Sequence, residues 1–234
     1  MNKILCLIPA RSGSKGLVNK NINIMIDRPL IAWSITQAKN TEYYKKGLMR
    51  IVVSTDSEDY KKIALEWGAE VPFIRPKEIS QDSSTDYEFI KHALEWFNNK
   101  ENYIPNYILH LRPTQPCRKK NLIDNCLRKF IGSKFDSLRT VIATEKTPYK
   151  MYNKNNEELV PLFNNVNGII EPYNIGRQHL PKTYLHNGYV DIIKSELIKT
   201  GSLSGKIMAY VMNNDENIDI DNYEDWEKAK KYLL

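Results

Sequence analysis

Short apolar runs alternate with helical patterns from the start of this 234-residue chain, and that alternation restricts the fold more than any other feature. Residues 4–8, 50–54, 71–74, 107–111 and 137–143 read as strands, from runs such as Ile51-Val52-Val53. Residues 29–40, 57–67, 85–97 and 119–130 carry helical spacing; Leu30, Ile31, Trp33, Ile35 and Ala38 fall on one face. The order predicts an α/β fold: a doubly wound, mainly parallel sheet with helices on both faces and right-handed crossovers. From Glu145 to Thr183 the alternation fails in a stretch rich in Asn, Pro and Tyr, and a structureless loop of that length is unusual in a compact domain. Strand patterns return at 189–193 and 207–212, and a last helix is expected over 222–233.

In sheets of this kind ligands bind beyond the carboxyl ends of the strands. Three motifs fall there. The first is Ile8-Pro9-Ala10-Arg11-Ser12-Gly13-Ser14-Lys15-Gly16 with Lys20-Asn21, which brings glycines, small hydroxyls and three cations to one loop. Such a loop can wrap a polyphosphate, because glycine lets the backbone approach closely. It is neither a Walker A loop nor a dinucleotide fingerprint, since G-x-x-x-x-G-K-[ST] and G-x-G-x-x-G are both absent. The second is Ser54-Thr55-Asp56, where Asp56 or Ser57 could instead cap the next helix. The third is Arg112-Pro113-Thr114. Farther along, Asp219 and Asp221 are separated by one residue after the last strand pattern. Two such carboxylates suit Mg²⁺, which takes one or two carboxylates plus phosphate oxygens. Asp221 with Glu224 would equally serve as a capping box. Ser84 and Thr85 precede a helix and are candidate caps.

The net charge of +6 admits nucleic acid as a partner. The lysines, however, are dispersed as Lys45-Lys46, Lys61-Lys62, Lys119-Lys120 and Lys230-Lys231, with acidic residues near most of them. A solvated surface plus an anionic small-molecule site accounts for them without nucleic acid. No apolar run reaches the roughly 18 residues of a membrane span, and no secretory pattern is present, so a cytoplasmic protein is expected. Cys6, Cys117 and Cys126 lack metal spacing and read mainly as core residues; His92, His110, His179 and His186 lack it too.

The N-terminal loop with Lys20-Asn21 closely resembles the signature of the acylneuraminate cytidylyltransferases, the synthetases of CMP-sialic acid and other CMP-nonulosonic acids. Arg75-Pro76 with Asp82-Ser83-Ser84-Thr85-Asp86, Ile218-Asp219-Ile220-Asp221, Arg177-Gln178-His179-Leu180-Pro181 and Asn187-Gly188 extend the resemblance along most of the chain. It implies a nucleotide-diphospho-sugar transferase-like Rossmannoid fold. Residues 1–144 and 184–234 would form the nucleotide-binding domain, and 145–183 an inserted subdomain pairing two subunits in a homodimer. It implies a reaction of CTP with a nonulosonic acid, giving CMP-sugar and pyrophosphate. Ala10, Arg11, Ser14, Lys15, Lys20, Asn21, Arg75 and Ser83 would bind CTP. Arg112, Arg177, Asn187 and Asp191 would face the sugar, Arg177 gripping its carboxylate. Asp219 and Asp221 would hold Mg²⁺ or Mn²⁺; with Arg11 and Lys20 they form the catalytic set.

The sugar side departs from the family pattern. Arg112 stands where several sialic acid enzymes carry glutamine, Asp191 where they carry tyrosine, and Ser202-Leu203 where an aromatic pair can line an acyl pocket. These departures favour a nonulosonic acid other than N-acetylneuraminate, such as a legionaminate-like diamino sugar. Alternatively, Arg112 and Asp191 simply pair with each other. A cytidylyltransferase for another sugar acid or a sugar phosphate, and a non-catalytic nucleotide- or sugar-binding module, remain as rival readings.

Overall fold

A computed structural model describes residues 2–13, 16–213 and 217–234. Ser14 and Lys15, both expected at the triphosphate, lie outside the described residues. The strands are β1 (Ile4–Pro9), β2 (Ile24–Met25), β3 (Arg28–Pro29), β4 (Met49–Ser54), β5 (Tyr107–His110), β6 (Ser137–Thr144), β7 (Tyr152–Asn155), β8 (Glu158–Pro161), β9 (Asn165–Val166), β10 (Ile169–Ile170), β11 (Thr183–Lys194) and β12 (Ile207–Met212). The helices are α1 (Leu30–Lys39), α2 (Glu42–Lys45), α3 (Glu58–Glu66), α4 (Asp86–Glu101), α5 (Leu122–Phe130), α6 (Ser195–Ile198) and α7 (Tyr223–Leu233).

The central sheet runs β12-β6-β11-β5-β1-β4. β1 is parallel to β4 and β5, and β12 is parallel to β6, while β11 runs antiparallel to both its neighbours. The sheet is therefore mainly parallel with one reversed strand. Alternation along β1 divides the core between two faces. Ile4, Cys6 and Ile8 join residues of α1, α3 and α5 on one side. Leu5 and Leu7 meet Phe89, Ile90, Ala93 and Phe97 of α4 on the other. All three cysteines are buried and unpaired. A third cluster packs Trp226 and Ala229 of α7 against Met25, Leu30, Cys117 and Ile220. That packing holds the segment before α7 against the start of α1.

Two elements differ from expectation. Residues 71–74 form no strand; only Glu70 bridges to β4. Pro72 has no N–H to continue the ladder, yet Val71 and Phe73 are still buried. Helix α7 is capped by Asn222, which accepts from the Asp225 N–H, so the Asp221–Glu224 capping box does not form. The irregular segment 145–183 is not structureless: β7 pairs with β8 and β9 with β10. The residues at their turns, Asn156, Asn167 and Gly168, take positive φ.

Candidate active site

The chain leaves β1 at Pro9, and Ala10 N–H donates to the Ser54 carbonyl at 2.9 Å, so the first loop springs from a fixed point. Ala10 itself is fully buried in the core and turns no side chain toward the cleft. Asp56, at the end of β4, anchors the loop: it accepts from Ser12 N at 2.8 Å and Ser12 Oγ at 3.0 Å. Ser57, not Asp56, caps α3. Asn21 is buried and braces the loop from the other side, donating to the Arg11 carbonyl at 3.2 Å.

The loop reaches the C-terminal segment directly. A Cβ built at Gly16 would collide with the carbonyl oxygen of Asp221, so only glycine permits the approach. Lys20 Nζ donates to the Ile220 carbonyl at 2.5 Å and lies 3.9 Å from Asp221 Oδ1. The Asp219–Asp221 stretch is pinned elsewhere too: Ile220 N–H donates to the Thr114 carbonyl at 3.0 Å, and Ile218 N–H to Tyr189 Oη at 2.8 Å.

These contacts close a cleft of about 440 Å³. Arg11, Gly16, Lys20 and Asn21 line it on one side, Arg75 and residues of 79–86 on another, with Arg112, Thr114 and Asp221 completing the wall. A second cavity of about 480 Å³ lies at the opposite end of the sheet, between α4, Tyr103–Tyr107 and α6, and contains no predicted site residue. The first cleft carries the charge. Arg11 Nη1 binds Asp82 Oδ1 at 2.5 Å. Desolvation lowers the Lys20 pKa, against the pull of Asp221 and Asp219. Asp219 is exposed as a residue, yet desolvation of its carboxyl pushes the pKa up and Asp221 adds to this; the Thr114 hydroxyl and Lys20 oppose it. Asp221 is largely exposed, and Lys20 at 3.9 Å is the cation beside it.

Arg75 is 4% exposed, and its buried Nε and Nη2 have no hydrogen-bond partner among the described residues. Its guanidinium stacks 5.7 Å from the Phe89 ring, and desolvation lowers its pKa. A buried donor without an acceptor costs roughly 1–3 kcal/mol, more when charged. Arg75 is nevertheless among the residues that line the cleft.

Beyond Arg75 the wall is a charge network. Arg112 gives Nη2 to Asp86 Oδ2 and Nη1 to Asp191 Oδ2, each at 2.7 Å. Asp191 also binds His186 Nε2 at 2.8 Å. Burial pushes the Asp191 carboxyl up, but the His186 hydrogen bond and Arg112 charge outweigh it and hold the pKa well below the usual range. Burial, followed by the Arg112 charge, pushes His110 down to about 4. Behind the wall Arg118 is buried without a carboxylate in its hydrogen bonds. It donates to the carbonyls of Tyr189 and Arg112, to Ser34 Oγ and to Gln37 Oε1, at 2.6–3.0 Å.

Arg11, Lys20, Asn21, Arg75, Arg112 and Asp221 line one cleft, and Asp219 adjoins it. Ser83 is exposed and outside the lining. Thr85 and Glu88 form the capping box of α4. Asn187 is buried at the irregularity of β11, outside the cleft lining, and donates to Met212 Sδ at 3.4 Å. Arg177 lies on the irregular segment, mostly exposed and paired with Glu145, away from the cleft lining. Leu203 is partly buried and packs against the α4 core. Sequence reasoning gave no role to Asp86, Arg118, Arg139 or Thr114, whose neighbours at the site come from strands distant in the chain. Asp56 and Thr114 did carry a signal, their place at strand ends, and Asp86 one in the 82–86 run.

The comparisons agree with this geometry. A family model described as cytidylyltransferase matches residues 5–161. N-acylneuraminate cytidylyltransferase of Escherichia coli is 32% identical over 231 residues, 97% of this chain and 51% of that protein. The chain thus spans about half the length of that relative. Post-translational flagellin modification protein B of Campylobacter coli is 32% identical, over 100% of this chain and 96% of its own. Pseudaminic acid cytidylyltransferase of Campylobacter jejuni is 30% identical, over 97% and 95%. Among solved structures, CMP:2-keto-3-deoxy-manno-octonic acid synthetase complexed with CTP superposes with a TM-score of 0.71 at 13% identity, covering 99% of this chain and 98% of that one. A 4-diphosphocytidyl-2C-methyl-D-erythritol synthase from Anaerococcus prevotii gives 0.63 at 13% identity, covering 99% and 96%. These two likenesses speak for the nucleotidyltransferase fold. A glycine loop closed against a distant aspartate pair, a matching family model and full-length relatives lead to one conclusion: the chain belongs to the cytidylyltransferase family.

Proposed function

We propose that this protein joins the CMP moiety of CTP to a nonulosonic acid and releases pyrophosphate. The observation that carries the reading is the direct approach of Gly16 to the Asp221 carbonyl, which sets phosphate-binding cations and a carboxylate pair around one cleft. In the reaction the anomeric hydroxyl of the sugar acid attacks the α-phosphorus, the bond to the bridging oxygen breaks, and pyrophosphate leaves. Such transfer depends on positioning and on stabilising charge. Arg11, Lys15 and Lys20 would neutralise the phosphates. Arg11 is paired with Asp82, so a phosphate oxygen would take over one arm of that ion pair. Arg75, which lines the cleft, would meet an acceptor of the nucleotide.

Asp219 and Asp221 fit a hard cation: they are carboxylates beside the phosphate-binding loop, and the helix cap that could have consumed Asp221 is supplied by Asn222. They would hold Mg²⁺ or Mn²⁺, which when bound would screen phosphate charge. Residues 145–183 are read as a dimerisation subdomain. Support comes from an exposed apolar set within it, including Met151, Tyr152, Leu159, Leu162, Phe163 and Ile170. Arg177 would then serve the partner's cleft in a homodimer. No helix among the described residues is long and apolar enough to cross a membrane; the proposed setting is the cytoplasm.

The test is pyrophosphate release measured with each of the four NTPs against a panel of nonulosonic acids and 3-deoxy-manno-octulosonate. Release that needs CTP and a nine-carbon acid supports the reading. Release with the eight-carbon acid alone assigns another branch, and none with any pair rejects the activity.

A further inference from the structure

The strand pairings set three polar residues in a row across the sheet. His110 on β5 is opposite Asp191 on β11, and Asp191 is opposite Arg139 on β6. The row lies on the α4 face, because Ile108 and Ile193, two residues away on the same strands, pack in the α4 core. Two strand spacings separate its ends, about 10 Å. The row also continues the cleft wall. Asp86 and Arg112 line the cleft, Arg112 binds Asp191, Asp191 binds His186, and His186 Nδ1 stands 3.4 Å from Arg139 Nη1.

Charge is matched along this line until its end. Arg112 has a carboxylate on each terminal nitrogen. Arg139 has none. Among the described residues it meets the His186 ring nitrogen and Ser204 Oγ, both at 3.4 Å. His186 is about a third exposed, and Arg139 and Ser204 are partly exposed, so the line opens to solvent there. A loosely held guanidinium at the open end of a polar wall is a donor fork, and planar oxygen acceptors suit it.

We propose that Arg139, supported by His186 and Ser204, determines specificity by binding a carbonyl oxygen on the part of the sugar acid farthest from its anomeric carbon. The acceptor would be that of an acylamino group. The inference rests on the cytidylyltransferase reading. The substrate's own carboxylate is not the target: in a 2-keto acid it is bonded to the anomeric carbon, which must sit beside the α-phosphorus in the cleft. Arg139 lies at the other end of the row, within the span of a nine-carbon acid. Arg112 already holds a carboxylate on each terminal nitrogen, so it is the less available fork.

The experiment compares wild type with Arg139→Gln and Arg139→Lys in steady-state pyrophosphate release. The probes are N-acetylneuraminate, its counterpart with hydroxyl in place of the acetamido group, and a nonulosonic acid bearing two acylamino groups. Loss of a charged hydrogen bond should lower kcat/KM for the best acylated acid roughly 10- to 100-fold in Arg139→Gln. The loss should appear in the KM of the sugar, leaving kcat and the KM for CTP unchanged. Arg139→Lys, which keeps the charge but not the fork, should fall between, and the hydroxyl counterpart should lose almost nothing in either variant. Equal losses on acylated and hydroxyl acids would mark a structural role and overturn the proposal, as would no loss on any acid. If Arg139→Gln fails to fold, the Arg139→Lys comparison decides by the same criterion. A wild-type protein inactive with CTP and every acid refutes the activity itself; an active one whose variants do not discriminate refutes only the role of Arg139.

Discussion

Asp221 keeps its carboxylate available because the residue after it does the capping of α7. Such single-residue divisions of labour run through the site. Asp219→Asn should lower turnover by several kcal/mol of barrier, the scale of losing cation stabilisation, read by single-turnover pyrophosphate release. Wild-type turnover would count against the carboxylate pair. Arg11→Ala should lose one charge-assisted phosphate contact, roughly 1.5–3 kcal/mol, measured as kcat/KM for CTP. His110 supplies a prediction of another kind. Its folded pKa of about 4 lies below the ordinary 6.5, so the unfolded chain takes up a proton that the folded protein refuses. Its contribution is flat above about pH 6.5 and destabilises progressively as pH falls toward 4, by about 3 kcal/mol in all. Asp191, held low by His186 and Arg112, acts in a more acid window and loses its contribution only below the unfolded carboxylate pKa, about 3.9. Denaturant titrations between pH 7 and 4 should therefore show a shallower decline in His110→Gln than in wild type.

At the scale of elements, strands and helices that follow period were legible in the chain, since burial alone dictates them. β1 alternates Ile4, Cys6 and Ile8 against Leu5 and Leu7, and both sets are buried. The segment 71–74 was misread because its apolar residues are buried without a ladder, and only Pro72 marked the difference. The glycine loop and the aspartate pair were legible as chemistry, and so was the possibility that Arg112 pairs with Asp191. Hidden from sequence was everything set by register: Arg139 opposite Asp191, and Arg118 reaching α1, the end of β5 and β11 at once. No local pattern states which strands become neighbours. Arg118→Met should leave several buried acceptors without a donor and destabilise the protein by at least about 3 kcal/mol, measured by chemical denaturation. Retained stability would mean that those acceptors find other donors.

At the scale of the whole molecule, the exposed apolar residues of 145–183 predict self-association. Ile170 is 72% and Leu159 61% exposed, in hairpins outside the central sheet. Ile170→Asp with Leu159→Lys should convert a dimer into a monomer in analytical ultracentrifugation, with the cleft's affinity for CTP retained. A wild-type monomer would remove the subdomain's proposed role. The closure of Lys20 on the Ile220 carbonyl joins residues 200 positions apart. That separation has a consequence for synthesis: until Asp221 has left the ribosome, the anion-binding loop lacks the Ile220–Asp221 side of its cleft. Shorter nascent protein should hold nucleotide poorly, and ligand can rescue folding only once that segment has emerged.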